Sequence, residues 1–81
     1  MLTPKDAYDA FVKKFPETKR TKISDWGGFY TCSPAPLDDM TDEFYQIDKE
    51  TGKITFWDYA EYAEYVRKLP EDYYPESIEI D

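Results

Sequence analysis

The sequence predicts an α+β fold: a three-stranded antiparallel β-meander, or four-stranded if the tail pairs, packed against an N-terminal and a C-terminal helix. Two segments with helical apolar periodicity lie near the two ends of the chain, and between them alternating aromatic and β-branched residues are separated by turn residues. At 81 residues the chain has room for one domain. We therefore expect a single domain over residues 1–81.

The first helix is predicted over residues 4–14. Thr3 is a typical N-cap, and Pro4 suits the first helical position because its missing N–H would be unpaired there anyway. Pro16 disfavours helical backbone at the residue before it, so the helix ends there. The apolar face is formed by Ala7, Phe11 and Phe15, which repeat every four residues.

Three strands are predicted, over residues 29–33, 43–48 and 53–57. The first follows a turn at Gly27 and Gly28 and ends at Pro34, or runs along an edge, because proline cannot donate a ladder hydrogen bond. The basic stretch before that turn is expected to be a connection. The other two strands form a hairpin with a loop over residues 49–52.

The hairpin register follows from the loop length. Ile47 should pair with Ile54 and Tyr45 with Phe56 on one face, while Asp48 and Lys53 form a charge pair on the other. Gly52 supplies the left-handed residue. A Walker A loop would need a glycine at position 47 and Ser or Thr at position 54, so this Thr-Gly-Lys is interpreted as a turn.

The second helix is predicted over residues 58–69, and residues 70–81 form a tail. Asp58 and Glu61 have capping-box spacing, and Pro70 stops the helix. In the tail, Ile78 and Ile80 alternate and could add an edge strand. The side expected to cover the sheet carries Tyr59, Tyr62, Ala63, Val66 and Leu69, with Tyr65 pointing away from it.

Composition excludes several functions. The chain has no histidine and one cysteine, Cys32, so imidazole catalysis, the usual zinc sites and internal disulfides are all ruled out. An apolar leader or membrane span is absent from the sequence pattern, so we expect a cytoplasmic protein that does not bind membranes. No cofactor is expected.

Charge is unevenly distributed. Residues 1–37 contain six basic and four acidic residues, whereas residues 38–81 contain four and fourteen, giving a net charge of -8. An acidic surface argues against direct binding to nucleic acid, which requires positive charge. The small basic patch over residues 13–22 is interpreted as solvated or as neutralising the acidic half.

No catalytic or metal-binding residue is assigned. No register of the acidic loops fits a calcium-binding EF-hand. Glu17, Thr18 and Lys19 match a short step of some metal-dependent nucleases, but those enzymes place it on a strand, and here it follows the end of a helix. We therefore expect a non-enzymatic protein and keep a minimal metal-dependent enzyme as the third hypothesis.

Tyrosine is the residue that most suggests binding. Eight tyrosines exceed what one sheet face can cover, and exposed tyrosines beside acids suit a protein–protein interface. The candidate partner-binding residues are Glu61, Tyr65, Tyr73 and Tyr74.

The central stretch FYQIDKETGKI, between helix and helix, resembles small uncharacterised α+β proteins of bacteria and their phages or mobile elements. It is similar to immunity proteins whose hairpin combines valine or isoleucine, aspartate and lysine with a following Thr-Gly and an aliphatic residue. The resemblance covers residues 43–67. It implies a non-catalytic protein that binds and blocks one partner, and it assigns no functional residue.

The sequence thus favours a small acidic protein-binding or inhibitory module. The alternative is an acidic nucleic-acid mimic that occupies the basic groove of a nucleic-acid-binding protein. The two differ in salt dependence, because a charge-based contact weakens steeply with salt and an aromatic one does not.

Overall fold

A computed structural model describes residues 1–35 and 44–80. It confirms the α+β class, with five strands instead of the three or four expected. The elements in chain order are helix α1 (Pro4–Lys14), strands β1 (Lys22–Asp25), β2 (Phe29–Cys32), β3 (Phe44–Asp48) and β4 (Ile54–Trp57), helix α2 (Tyr59–Arg67) and strand β5 (Glu76–Glu79).

The strands form one antiparallel sheet in the order β4-β3-β2-β1-β5. Strands β1 to β4 are a meander, and β5 joins it beside β1. Because β4 and β5 lie at opposite edges, the connection between them, which contains α2, must cross the whole width of the sheet. Helix α1 packs on one face and α2 on the other, so the protein has three layers.

The predicted central hairpin is confirmed in register. Ile47 pairs with Ile54 and Tyr45 with Phe56, and Gly52 has a φ of 77°. Asp48 N donates to Lys53 O at 2.9 Å. The Asp48 carboxylate accepts the N–H groups of Glu50 and Thr51 at 2.8 and 2.9 Å, which lowers its pKa. This carboxylate therefore closes the turn; the expected side-chain ion pair with Lys53 is not formed within the described residues.

Strand β1 replaces the expected basic connection. Trp26 N donates to Phe29 O at 2.9 Å, and Gly27 has a φ of 95°, so β1 and β2 form a tight hairpin. Ile23 is buried on the α1 face and pairs with Ile78 of β5. Pairing on both sides therefore makes a strand of a segment whose own sequence is mostly polar.

Several element ends shift by one or two residues. Strand β2 ends at Cys32 instead of Ser33, and α2 ends at Arg67 instead of residue 69. Asp58 is the N-cap of α2 rather than its first residue, accepting the N–H groups of Ala60 and Glu61. Glu43, the expected start of the second strand, lies outside the described residues.

The main core lies between α1 and the sheet. Its fully buried apolar members are Ala7, Phe11, Ile23, Tyr30, Cys32 and Ile47. The polar ends of its tyrosines are satisfied, because Tyr30 Oη donates to Leu2 O at 3.0 Å and Tyr8 Oη donates to Arg20 O at 2.6 Å. Helix α1 therefore covers this face of the sheet, and α2 lies on the opposite face.

Candidate functional site

A second apolar layer, made almost wholly of rings, lies between the sheet and α2. We call it the aromatic cluster, and its members are Trp26, Phe29, Trp57, Tyr62, Tyr65 and Tyr73. Trp57 contacts Trp26, Phe29, Tyr62 and Tyr65 with ring centroids 5.3 to 5.7 Å apart and interplanar angles of 73° to 86°. Such edge-to-face pairs are the favoured geometry for aromatic rings and hold α2 on the sheet.

Trp26 joins the elements of this layer. Its Nε1 donates to Thr31 Oγ1 at 2.9 Å, which satisfies the polar edge of the indole. Its carbonyl accepts a hydrogen bond from Tyr73 Oη at 3.1 Å, and the Tyr73 ring lies 6.3 Å away. Trp26 therefore connects the β1–β2 hairpin with the segment that follows α2.

The orientation of α2 corrects the predicted stripe. Tyr62 and Tyr65 face the sheet, whereas Tyr59, Ala63 and Val66 are exposed. The expectation that Tyr65 points away from the sheet is wrong. The sheet face beneath α2 is aromatic, and tyrosine rings three residues apart give it edge-to-face partners that alanine and valine cannot supply.

The rotation leaves an apolar strip on one flank of α2. We call the exposed side chains of Tyr59, Ala63 and Val66, with the acids Glu61 and Glu64, the α2 surface. Tyr59 is 66% and Val66 36% exposed, and α2 has no buried residue. A helix that exposes its apolar residues at positions i, i+4 and i+7 has the pattern of a helix that docks against another molecule.

A cavity of about 190 Å³ opens beside the apolar strip. It is lined by Ser24, Trp26, Thr31, Phe44, Trp57, Tyr59 and Tyr62. Small-molecule sites usually measure roughly 300–1,000 Å³, so this cavity is small for a cofactor and suits a single side chain. Its rings can surround an apolar or aromatic group, while Ser24 offers a hydroxyl.

The α2 surface is also acidic. The ion pair between Arg67 and Glu64 is the only one that the described part of the chain forms after residue 50. Glu61 is exposed on the helix, and Glu71 and Asp72 are exposed just beyond it. With 3.6 residues per turn, Glu61 lies about 200° and Glu64 about 140° around α2 from Tyr59, so these carboxylates form an acidic side of the helix away from the apolar strip.

The four candidate binding residues have different environments. Glu61 is exposed, and Tyr74 is 82% exposed with its ring in solvent. Tyr73 is 37% exposed, at the edge of the aromatic cluster. Tyr65 is half-buried beneath α2. The structure brings Tyr65 and Tyr73 onto the same ring, that of Trp26.

The residues that sequence reasoning missed are Trp26, Trp57 and Tyr59. The sequence pattern predicts Trp57 only as the end of a strand, although its position after Ile54 and Phe56 in a period of two places it on the opposite face. Trp26 lies immediately before Gly27 and Gly28. It could have been identified because two runs that contain apolar residues, separated by a glycine turn, are typical of a hairpin. Tyr59 was assigned to the covered side of α2, but it lies at the mouth of the cavity.

Within residues 1–35 and 44–80, no three Asp, Glu or Cys residues are close enough to hold a metal ion. Burial raises the pKa of Cys32 to about 11, and the thiol lies in the α1 core, on the other face of the sheet. Neither helix in the described part of the chain has the length and apolarity needed to cross a membrane.

Comparisons with known proteins give no relative. No protein-family model matches the chain, and no match was found among curated proteins or solved structures.

Proposed function

We propose that this protein is a small, non-catalytic protein-binding module of inhibitory type that contacts its partner through the α2 surface. The observation that carries the proposal is the exposed apolar strip of Tyr59, Ala63 and Val66 beside a ring-lined cavity. An apolar strip next to a pocket is the arrangement found where a few anchor residues dominate binding.

The partner should present an apolar or aromatic side chain to the cavity, and basic residues only where it also reaches the acidic side of α2. The cavity has room for one such side chain, and Glu61 and Glu64 lie on the same helix as the strip. Tyr74 is proposed as a second contact because its ring is exposed. Tyr73 lies at the margin, and Tyr65 is proposed to act indirectly by holding α2 in place.

The proposal includes the cytoplasm as the setting, where Cys32 stays a thiol. It also includes the blocking role and the bacterial, phage or mobile-element origin that the hairpin resemblance implies. An inhibitor needs a rigid binding surface. The edge-to-face contacts of Tyr62 and Tyr65 with Trp57 hold α2, and with it the α2 surface, on the sheet.

The experiment is a pull-down with tagged protein from lysate of the source cell, using three forms of the chain. The first is the natural protein, and the second carries Tyr59→Ser and Val66→Ser. The matched control carries Lys13→Ser and Lys14→Ser, two exposed positions on the opposite helix. We expect a partner that the natural protein and the control retain equally and that the α2 variant retains at least tenfold less.

Equal retention of that partner by the α2 variant would overturn the proposal. Washing at low and high salt separates it from the second candidate, the nucleic-acid mimic. That candidate is favoured by the carboxylates of residues 51–80, of which Glu64 is the only one in an ion pair within the described part of the chain. A partner held through the apolar strip stays bound at high salt. A mimic's partner is released at high salt and competes with nucleic acid.

A further inference from the structure

The two edges of the sheet differ in how they are protected against pairing with another strand. Edge strand β5 carries Glu76 and Glu79, and charged residues of this kind discourage edge-to-edge contact. Edge strand β4 reads Ile54, Thr55, Phe56 and Trp57, with no charge and no proline. Within the described residues, nothing pairs with its outer side.

The outward-facing backbone groups of β4 can be identified from its pairing with β3. Asp48 N donates to Lys53 O at 2.9 Å, so Lys53 belongs to a hydrogen-bonded pair. Pairs alternate along an antiparallel ladder, so Thr55 and Trp57 also direct their N–H and C=O groups to β3. The N–H and C=O groups of Ile54 and Phe56 therefore point to the free edge.

Phe56 makes this edge apolar as well. Its side chain is 50% exposed, and its ring lies 5.5 Å from that of Tyr45, which contacts Phe11 and Phe15. The apolar layer beneath α1 thus continues to the edge of the sheet and ends there in an uncovered ring.

The β4 sequence is complementary to itself about Thr55. In an antiparallel pair of two copies centred on that residue, each Ile54 lies opposite the other copy's Phe56, and the two Thr55 side chains face each other. An aromatic residue opposite a β-branched one, and a threonine opposite a threonine, are favourable cross-strand pairs. Ile54 and Phe56 then exchange four hydrogen bonds between the copies, using the groups that face outward.

The competing register, centred on Phe56, is less favourable. It would place Ile54 opposite Asp58, whose side chain caps α2 and whose backbone has left the strand. Both registers keep equivalent faces of the two sheets together, but only the first uses every outward group of β4 and sets no carboxylate against an apolar residue.

We propose that two copies of this chain pair antiparallel through β4, with Thr55 at the twofold axis, to form a continuous ten-stranded sheet. The dimer covers Phe56 and is built from residues of β4, none of which belongs to the α2 surface, so the proposal does not rest on the proposed function. Each copy carries a net charge of -8, so added salt should strengthen the dimer by screening repulsion. A partner held through the apolar strip of the α2 surface should hardly respond to salt.

The experiment combines sedimentation equilibrium with site-directed crosslinking. The natural protein should sediment at twice the 9.6 kDa chain mass at high protein concentration. Phe56→Lys should raise the dimer dissociation constant at least tenfold, whereas the matched control Ser77→Lys, on the other edge, should leave it unchanged. A monomer at every concentration up to 1 mM, or a Phe56→Lys dimer as tight as the natural one, would overturn the proposal.

Crosslinking tests the register without removing any apolar contact. Facing residues in a non-hydrogen-bonded antiparallel pair are close enough for a disulfide, so Thr55→Cys should form a covalent dimer under mild oxidation. Ser77→Cys is the matched control and should stay uncrosslinked, and the native Cys32 is buried. Absence of a Thr55→Cys crosslink, or equal crosslinking at Ser77→Cys, would contradict the register and sink the proposal even if Phe56→Lys failed to fold.

Discussion

The two faces of the sheet are built differently, although each is covered by one helix. Helix α1 inserts Ala7 and Phe11 into a fully buried layer of aliphatic and aromatic residues. Helix α2 has no buried residue and rests on the aromatic cluster through Tyr62 and Tyr65. The difference indicates that the α1 face contributes most of the core, whereas the α2 face is the one we propose to bind a partner.

The largest expected effect comes from the α1 face. Phe11→Ala removes a fully buried ring that contacts Phe15 and Tyr45, so it should lower the free energy of unfolding by about 3–5 kcal/mol. Denaturant unfolding followed by far-UV circular dichroism measures the loss. A loss below about 1 kcal/mol would show that α1 does not anchor the core.

The pH dependence of stability tests whether water is excluded from the core between α1 and the sheet. Burial raises the pKa of Cys32 from 9.0 to about 11, with opposing contributions from the Ser33 backbone and Arg20. The folded state therefore favours the protonated thiol, and this stabilisation is present below pH 9 and lost as pH rises towards 11. Complete loss of this contribution corresponds to about 3 kcal/mol.

Urea unfolding between pH 8 and 11 should therefore show a steeper loss of stability in the natural protein than in Cys32→Ala. The variant serves as the control because it differs from the natural protein only in lacking the buried thiol. Parallel profiles would mean that the thiol is already hydrated in the folded state.

On the α2 face, Tyr62→Ala should cost about 1–2 kcal/mol, less than Phe11→Ala. The half-buried Tyr62 ring makes edge contacts with Trp26 and Trp57, and such pairs contribute about 0.5–1.5 kcal/mol beyond the area that they bury. Urea midpoints of the two variants, measured together, give the comparison directly. A Tyr62→Ala cost equal to that of Phe11→Ala would remove the distinction between the faces.

The helix caps offer a matched pair of smaller changes. Thr3 Oγ1 accepts the N–H of Asp6 at 3.1 Å, and the Asp58 carboxylate accepts two N–H groups of α2. Each replacement by alanine should cost about 1 kcal/mol of helix stability. Thr3→Ala should lower the global midpoint, whereas Asp58→Ala should mainly reduce the helical circular dichroism signal before global unfolding. The reverse assignment would contradict the account.

The smallest effect is expected at the α2 surface. Tyr59→Ser combined with Val66→Ser should change the unfolding free energy by less than about 0.5 kcal/mol per site, because both side chains are already exposed. Thermal melts of this variant and of the Lys13→Ser and Lys14→Ser control should therefore nearly coincide. A large loss would show that these residues support the fold, and the variant could no longer report on binding alone.

Local signals predicted much of the fold. Thr3 and Pro4 located the start of α1, and the loop length with Gly52 determined the register in which Ile47 meets Ile54. Strand β1 was missed because its strand character depends on pairing with β2 and β5. Only the tertiary structure supplies that pairing.

The candidate site was less predictable for a related reason. The helical period showed that α2 is amphipathic, but the choice between the Val66 flank and the Tyr65 flank depends on what lies beneath. The rings of Trp26 and Trp57 decide it, and their meeting depends on β4 and β1 being held in one sheet. Sequence reasoning therefore identified the helix that carries the α2 surface but predicted the wrong side of that helix to be exposed.

Native-state amide hydrogen exchange tests the division between the two faces most directly. Amides of α1, β2 and β3 should exchange only through global unfolding, with opening free energies equal to the stability measured in urea. Amides of α2 should exchange through a local opening with a free energy lower by at least 1 kcal/mol. Equal protection of α1 and α2 would contradict the account, because α2 would then belong to the same cooperative core.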